Sequence, residues 1–123
     1  MRRVYICHPY RNDPVGNLEK VKKIVLDISK SSVSGMKTRD KTRGMPSNDY
    51  EDIECPVSPM LAFPFEMTEY SGNNISEKHG MAFCLALLDS CDELWVYSNT
   101  ISKGMKLEIE HASKKGIEIV WKV

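Results

Sequence analysis

Apolar residues along this chain fall into four short runs, separated by stretches with helical spacing. Val4 to Cys7 is an uninterrupted apolar run closed by HPYRNDP, which reads as a buried strand ending in a loop. Asp13-Pro14 then marks a helix start, with Asp as N-cap and Pro in the first turn. Val15, Leu18, Val21, Ile24, Val25 and Ile28 recur at helical spacing, while Lys20, Lys22 and Lys23 take the outer face. This helix is expected to end near Ser29 to Ser32. The next apolar run, Pro56 to Phe65, carries three prolines, and a strand is expected over Val57 to Ala62 although Pro59 weakens it. Asn74 and Glu77 have capping-box spacing, and Met81, Cys84, Leu85, Leu88 and Cys91 mark the buried face of the helix that follows. The third strand lies within Glu93 to Tyr97. Ser98 to Ser102 turns into a last helix that stops at Lys115-Gly116. Ile117 to Trp121 is the final strand, with Trp95 and Trp121 both expected in the core.

Residues 31–55 break the pattern. They are polar, contain two glycines and one proline, and show no clear period. That is too long for an ordinary connection, so the segment reads as an excursion outside the core: a lid, a subunit contact, a mobile loop or a tolerated surface insertion. The remaining order of strands alternating with helices predicts a single-domain α/β fold. A mainly parallel sheet flanked by helices, flavodoxin- or Rossmann-like, is expected over residues 1–123.

Within the last helix one residue breaks its own pattern. With Ile101 as the zero of a helical wheel at roughly 100° per residue, Met105 falls near ~40°, Ala112 near ~20°, Ile109 near ~80° and Glu108 near ~340°. Glu108 therefore points toward the protein, whereas Glu110, near ~180°, faces solvent. An inward carboxylate is costly unless paired or used, and burial raises its pKa into a range that suits acid, base or nucleophile chemistry. The other reading is a glutamate paired with a buried amide or a lysine.

Composition narrows the partners. The chain has 123 residues, 41% of them apolar, with a formal net charge of zero, so it has the core of one domain and no basic surface for nucleic acid or anionic membrane. No apolar run approaches the ~20 residues of a membrane span. MRRVYICHPY turns polar at His8, unlike a signal peptide. Cys7, Cys55, Cys84 and Cys91 form no CxxC pair, and they read as reduced cysteines of a cytoplasmic protein. His8, His79 and His111 are scattered, so no metal site is expected, and no GxGxxG or Walker A motif calls for a bound cofactor.

In parallel sheets ligands bind beyond the C-terminal strand ends. Three segments meet there in this order of elements: His8-Pro9-Tyr10-Arg11-Asn12-Asp13, Met60 to Glu69, and Ser98 to Gly104, with Glu108 just inside the helix that follows. The candidate site is Glu108 as the reactive group, with His8, Pro9, Tyr10, Arg11, Asn99, Ser102, Gly104 and Met105 around the ligand. Glu108 is expected partly buried, within reach of Tyr10, Arg11 or Asn99. Arg11 suits a phosphate or carboxylate. Tyr10, Phe63, Phe65 and Tyr70 either stack on a base or fill the edge of the core.

VYICHPYRND, NLEKVKK, SPMLAFPF and CDELWVYSNTISKGMKLEIEHA together resemble a family of small bacterial and phage proteins. These in turn look like distant relatives of the nucleoside 2-deoxyribosyltransferases. VYICHP is similar to that group's strand-plus-loop pattern YLAGP, with Pro9 at the proline and His8 replacing the glycine. GMKLEIEHA is similar to GTxxELGxA, with Gly104, Glu108 and Ala112 at matching positions, Met105 replacing the threonine and Glu110 the second glycine. The resemblance implies a glutamate nucleophile at Glu108 that attacks the anomeric carbon of a nucleoside, forming a glycosyl ester as the base leaves. It also implies a homo-oligomer. An acid to protonate the base is expected among Asp13, Glu69, Glu77 and Asp92, each of which also has a structural reading. The expected function is binding of a small-molecule nucleoside or nucleotide, with cleavage or transfer at the N-glycosidic bond. The departures at His8, Met105 and Glu110 support an alternative, a non-catalytic nucleotide binder such as a sponge for a nucleotide signal, and a purely structural subunit is a third reading.

Overall fold

The structure is a computed structural model that describes residues 1–10, 13–36, 53–62 and 77–123. Among these residues four strands alternate with helices: β1 (Arg2–Cys7), α1 (Pro14–Met36), β2 (Glu54–Val57), α2 (Pro59–Ala62), α3 (Glu77–Asp89), β3 (Glu93–Val96), α4 (Lys103–Lys115) and β4 (Glu118–Trp121). They form one sheet in the order β2-β1-β3-β4, and every pairing is parallel. The expected α/β architecture is the observed one.

The register places β1 at the centre. Tyr5 lies opposite Val57 on one side and Leu94 on the other, and Leu94 lies opposite Ile119. The chain steps outward from β1 to β2, crosses back to β3 and steps outward again to β4. Right-handed crossovers in opposite directions put the connecting helices on opposite faces. Packing agrees. Val4, Ile6 and Trp95 meet Ile24, Val25 and Ile28 of α1 on one face. Tyr5, Cys7, Leu94 and Val96 meet Leu88, Met105 and Ala112 of α3 and α4 on the other. Strand alternation explains the division, since successive side chains of β1 point to opposite faces. No helix among the described residues is long and apolar enough to cross a membrane.

Several expected boundaries move. α1 runs to Met36, beyond the expected stop at Ser29 to Ser32. Ser29 Oγ donates to the Val25 carbonyl at 2.7 Å, and Ser32 Oγ donates to the Glu54 carbonyl at 3.2 Å, tying this last stretch to β2. The second strand is Glu54–Val57, not Val57 to Ala62, because Pro59 opens α2. Pro56 is tolerated within β2 because that strand forms the edge of the sheet. The expected excursion thus loses residues 31–36 to α1 and residues 54–55 to β2, while residues 37–52 lie outside those described. Trp95 is buried at 6% exposure, but Trp121 is 54% exposed, contrary to expectation. Trp121 is the last residue of the other edge strand, where the sheet has no further neighbour.

The end signals are local. Asp13 caps α1, its Oδ1 accepting the Gly16 N–H at 3.2 Å. Ser102 caps α4, its Oγ accepting the Met105 N–H at 3.2 Å. Gly116 ends α4 at φ 74°, ψ 20°, a left-handed conformation that glycine adopts without a Cβ penalty. The Asn74 half of the expected capping box lies outside the described residues.

Candidate functional site

Because α4 starts beyond the C-terminal end of β3 and packs back across the sheet, its inward stripe faces the outer half of β1. That stripe is Met105, Glu108 and Ala112, at helical spacing and all buried. Met105 and Ala112 join the apolar cluster. Glu108 is only 7% exposed, and it meets two side chains of β1. The Tyr5 hydroxyl donates to Glu108 Oε2, and the Cys7 thiol lies 3.9 Å from Oε1. Tyr5 and Cys7 are on the same face because they are two residues apart in a strand.

Neither donor carries a positive charge, and this sets the electrostatics. Burial pushes the Glu108 carboxyl up to about 7, while the hydrogen bonds from Tyr5 and then Cys7 pull it down. The neighbours respond to the same environment. Burial, followed by the Glu108 charge, raises the Tyr5 phenol well above its ordinary value and also raises the Cys7 thiol. Cys84 of α3 is pushed up to about 11, mainly by burial and then by Glu108, with an opposing hydrogen bond from Tyr5. These thiols stay protonated at neutral pH and are poor nucleophiles. Glu108 is the group that exchanges a proton near neutrality, so the cluster can supply a carboxylate nucleophile or a carboxylic acid.

The other expected site residues are distributed along the same edge. His8 is half-buried and turns inward on its own loop, its Nδ1 donating to the Pro9 carbonyl at 2.8 Å. Tyr10 is half-buried, and its carbonyl accepts the Asn17 amide at 3.1 Å, joining the β1 loop to α1. Asn99 is exposed in the turn before α4, where Ser98 Oγ accepts the Thr100 N–H and donates to its carbonyl. Gly104 lies one helical turn from Glu108, and a Cβ there would come within 3.2 Å of the Met81 methyl. Arg11 lies outside the described residues.

Three expectations are corrected. Among the described residues, the hydrogen-bond partners of Glu108 are Tyr5 and Cys7, not Tyr10 or Asn99. Met105, expected to touch ligand, is 1% exposed and fills the core instead. The Ser102 oxygen accepts the helix-cap hydrogen bond from the Met105 N–H and keeps its own O–H as a donor. Ile101, the zero of the wheel, is 37% exposed because it precedes the first turn of α4.

No acid for a leaving group is evident among the described carboxylates. Asp13 is engaged as a cap. Asp92 sits at the opposite edge, where it accepts the Arg3 N–H at 2.8 Å and returns its own N–H to the Arg3 carbonyl. Glu69 and the Glu77 side chain lie outside what is described. No group of three or more metal-ligating side chains is found among the described residues.

Sequence reasoning missed Tyr5 and Cys7. Tyr5 and Cys7 were legible as core residues of a strand, and nothing in the pattern of one strand tells which helix faces it. Ser58, between β2 and α2, is 5% exposed.

No curated protein and no solved structure matches the chain. A family model described as a domain of unknown function (DUF7768) matches residues 32–122, a span that contains Ser58, Gly104 and Glu108 and leaves out Tyr5 and Cys7. The chain therefore belongs to the DUF7768 family.

Proposed function

We propose that this domain binds a nucleoside or nucleotide beyond the C-terminal ends of its strands and cleaves or transfers at the N-glycosidic bond through Glu108. On this reading it is a distant relative of the nucleoside 2-deoxyribosyltransferases. The observation that carries it is a carboxylate buried at 7% exposure, close to the strand ends and held by neutral donors. A glutamate kept only for stability would more often face a cation.

The chemistry follows from that environment. The ionised Glu108 attacks the anomeric carbon, the C–N bond breaks, and its electron pair leaves on the base nitrogen, which takes up a proton from solvent water. Water or a second base then takes the sugar from the ester and restores the carboxylate. Tyr5 holds Oε2, which fixes the orientation of the carboxylate and leaves Oε1, with only a weak thiol contact, as the attacking atom. Activity should rise with pH as Glu108 ionises near 7. The four cysteines are all unpaired, which suits the reducing cytoplasm.

The residues at His8, Met105 and Glu110, which depart from the transferase pattern, favour a second reading, a binder that retains intact ligand without turnover. Incubation with nucleosides and nucleotides, followed by mass spectrometry for free base and retained ligand, separates the two. Base release that disappears in Glu108→Gln, with binding preserved, supports the enzyme. Intact ligand retained by both proteins supports the binder, and neither result in the parent defeats both readings. The same proposal includes a homo-oligomer, for which light scattering at micromolar concentration should give at least twice the chain mass.

A further inference from the structure

β2 and β4 are the two edges of the described sheet, and they differ in what they leave open. On β2, the Arg2 N–H donates to the Ile53 carbonyl at 2.9 Å, so alternation along the strand turns the backbone groups of Glu54 and Pro56 outward. Ser32 Oγ occupies the Glu54 carbonyl at 3.2 Å, and Pro56 has no N–H to offer. That edge is blunted. On β4, the Lys122 N–H donates to the Val96 carbonyl at 2.9 Å, so Val120 and Lys122 turn toward β3 while Ile119 and Trp121 turn outward. Among the described residues, the outward N–H and C=O groups of Ile119 and Trp121 have no partner.

The side chains of β4 complement themselves when the strand is read in opposite directions. Glu118, Val120 and Lys122 share the α1 face, where Val120 joins the apolar cluster and Lys122 Nζ sits 3.9 Å from the centre of the Trp95 ring. Ile119 and Trp121 share the face of α4. Glu118 and Lys122 are exposed, and among the described residues neither has an ion-pair partner. When a second copy of β4 lies antiparallel, with Val120 opposite Val120, Ile119 falls opposite Trp121 and the open backbone groups are exchanged. Glu118 then falls opposite Lys122 on both sides of the axis. These are non-hydrogen-bonded positions, where opposing Cα atoms are about 4.5 Å apart and side chains meet most closely. The neighbouring registers that keep the same backbone groups paired put Val120 opposite one charge or the other. An edge guarded against a second copy would carry like charges, which repel across the pair.

We propose that β4 pairs antiparallel with β4 of a second copy about a two-fold axis at Val120, joining the two sheets into one. The contact is self-complementary, as a two-fold requires. It covers Trp121, which is 54% exposed, with Ile119 of the second copy. The proposal rests on the homo-oligomer of the proposed function, to which it gives a surface, and it is independent of the nucleotide chemistry.

The test is light scattering and sedimentation over a dilution series, at low ionic strength, of the full chain, Glu118→Lys, Lys122→Glu and the double exchange of both. Circular dichroism of each checks its fold. The parent should show at least twice the chain mass of 14.0 kDa at micromolar concentration. Each single reversal sets like charges opposite one another on both sides of the axis and should weaken association about tenfold or more. The double exchange restores opposite charges and should bring association back to within about threefold of the parent. Glu118→Lys leaves the Lys122 contact with Trp95 in place, so it alone decides the outcome where the variants at Lys122 fail to fold. A parent oligomer that the single reversals leave intact overturns the β4 pairing and leaves the homo-oligomer standing on another surface. Weakening that a folded double exchange does not repair overturns the pairing as well. A monomeric parent overturns both.

Discussion

At the N-terminal end of the sheet, Glu93 is 8% exposed and accepts from Arg2 at 3.0 Å and from the Trp95 indole at 3.1 Å. Arg2 also reaches Glu54 at 2.7 Å. At the C-terminal end, Glu108 is 7% exposed and meets a phenol and a thiol. Both carboxylates are buried to the same degree, and the difference lies in the compensation. A guanidinium bridges strands β1, β2 and β3 through Glu93 and Glu54, which locks one end of the sheet as structure. At the other end the partners are neutral, so burial wins and the carboxyl titrates near 7. Two buried glutamates in one small domain therefore teach that burial alone does not mark a reactive group. Burial without a cation is what raises a carboxyl toward neutrality.

The largest effect that would sharpen this contrast comes from Glu108→Gln. A carboxyl whose folded pKa is raised from 4.5 to about 7 is most favourable to folding below pH 4.5, and that contribution is lost as pH rises through 7. The amide does not titrate. Relative to the parent, Glu108→Gln should therefore gain stability steadily between pH 4.5 and 7, reaching roughly 3 kcal/mol above pH 8. Urea unfolding of both proteins across this range measures it. A parent whose stability is flat from pH 5 to 8 would mean that Glu108 is compensated after all, and the contrast would collapse.

Arg2→Met tests the other end. It strands Glu93 and removes the bridge to Glu54, and it should cost about 2 kcal/mol. That figure lies below the range for fully buried pairs because the Arg2 side chain is 49% exposed and screened by water. The base release proposed for Glu108 should be untouched, since Arg2 is at the far edge of the sheet. Loss of activity at unchanged stability would show that the two ends are not separable.

A smaller effect is expected from Tyr5→Phe, which removes the stronger donor to Glu108. The carboxyl should move further up, because that hydrogen bond pulls it down. Stability should fall by about 1–2 kcal/mol at pH 8, and by less at pH 5 where Glu108 is already protonated in both proteins. Carbon-13 detection of the Glu108 carboxyl during a pH titration reads the shift directly. A titration that stays in place would remove Tyr5 from the site.

The alternation of apolar strands and amphipathic helices was enough to read the parallel α/β order, since each pattern reports a local geometry of period 2 or 3.6. The caps at Asp13 and Ser102 and the glycine stop at Gly116 were legible for the same reason: each depends on residues a few positions apart. The inward direction of Glu108 came from helical phase alone. Less was readable where a tertiary contact outweighed local preference. Ser32 is held in α1 by a carbonyl of β2, and Pro56 enters a strand because that strand is an edge. Trp121 looked like core from its place in a strand, and its exposure follows from the position of β4 in the sheet.

What the sequence determined by itself is the set of elements and the residue that breaks their pattern. Periodicity and capping act over a few residues, so one chain segment carries the whole signal. What only the tertiary structure decided is the company that residue keeps. Tyr5 and Cys7 lie about one hundred positions from Glu108 along the chain. They reach it because β1 takes the centre of the sheet and α4 folds back over the face that carries them. Strand order and facing are set by burial summed over the whole domain, and no local spacing records them.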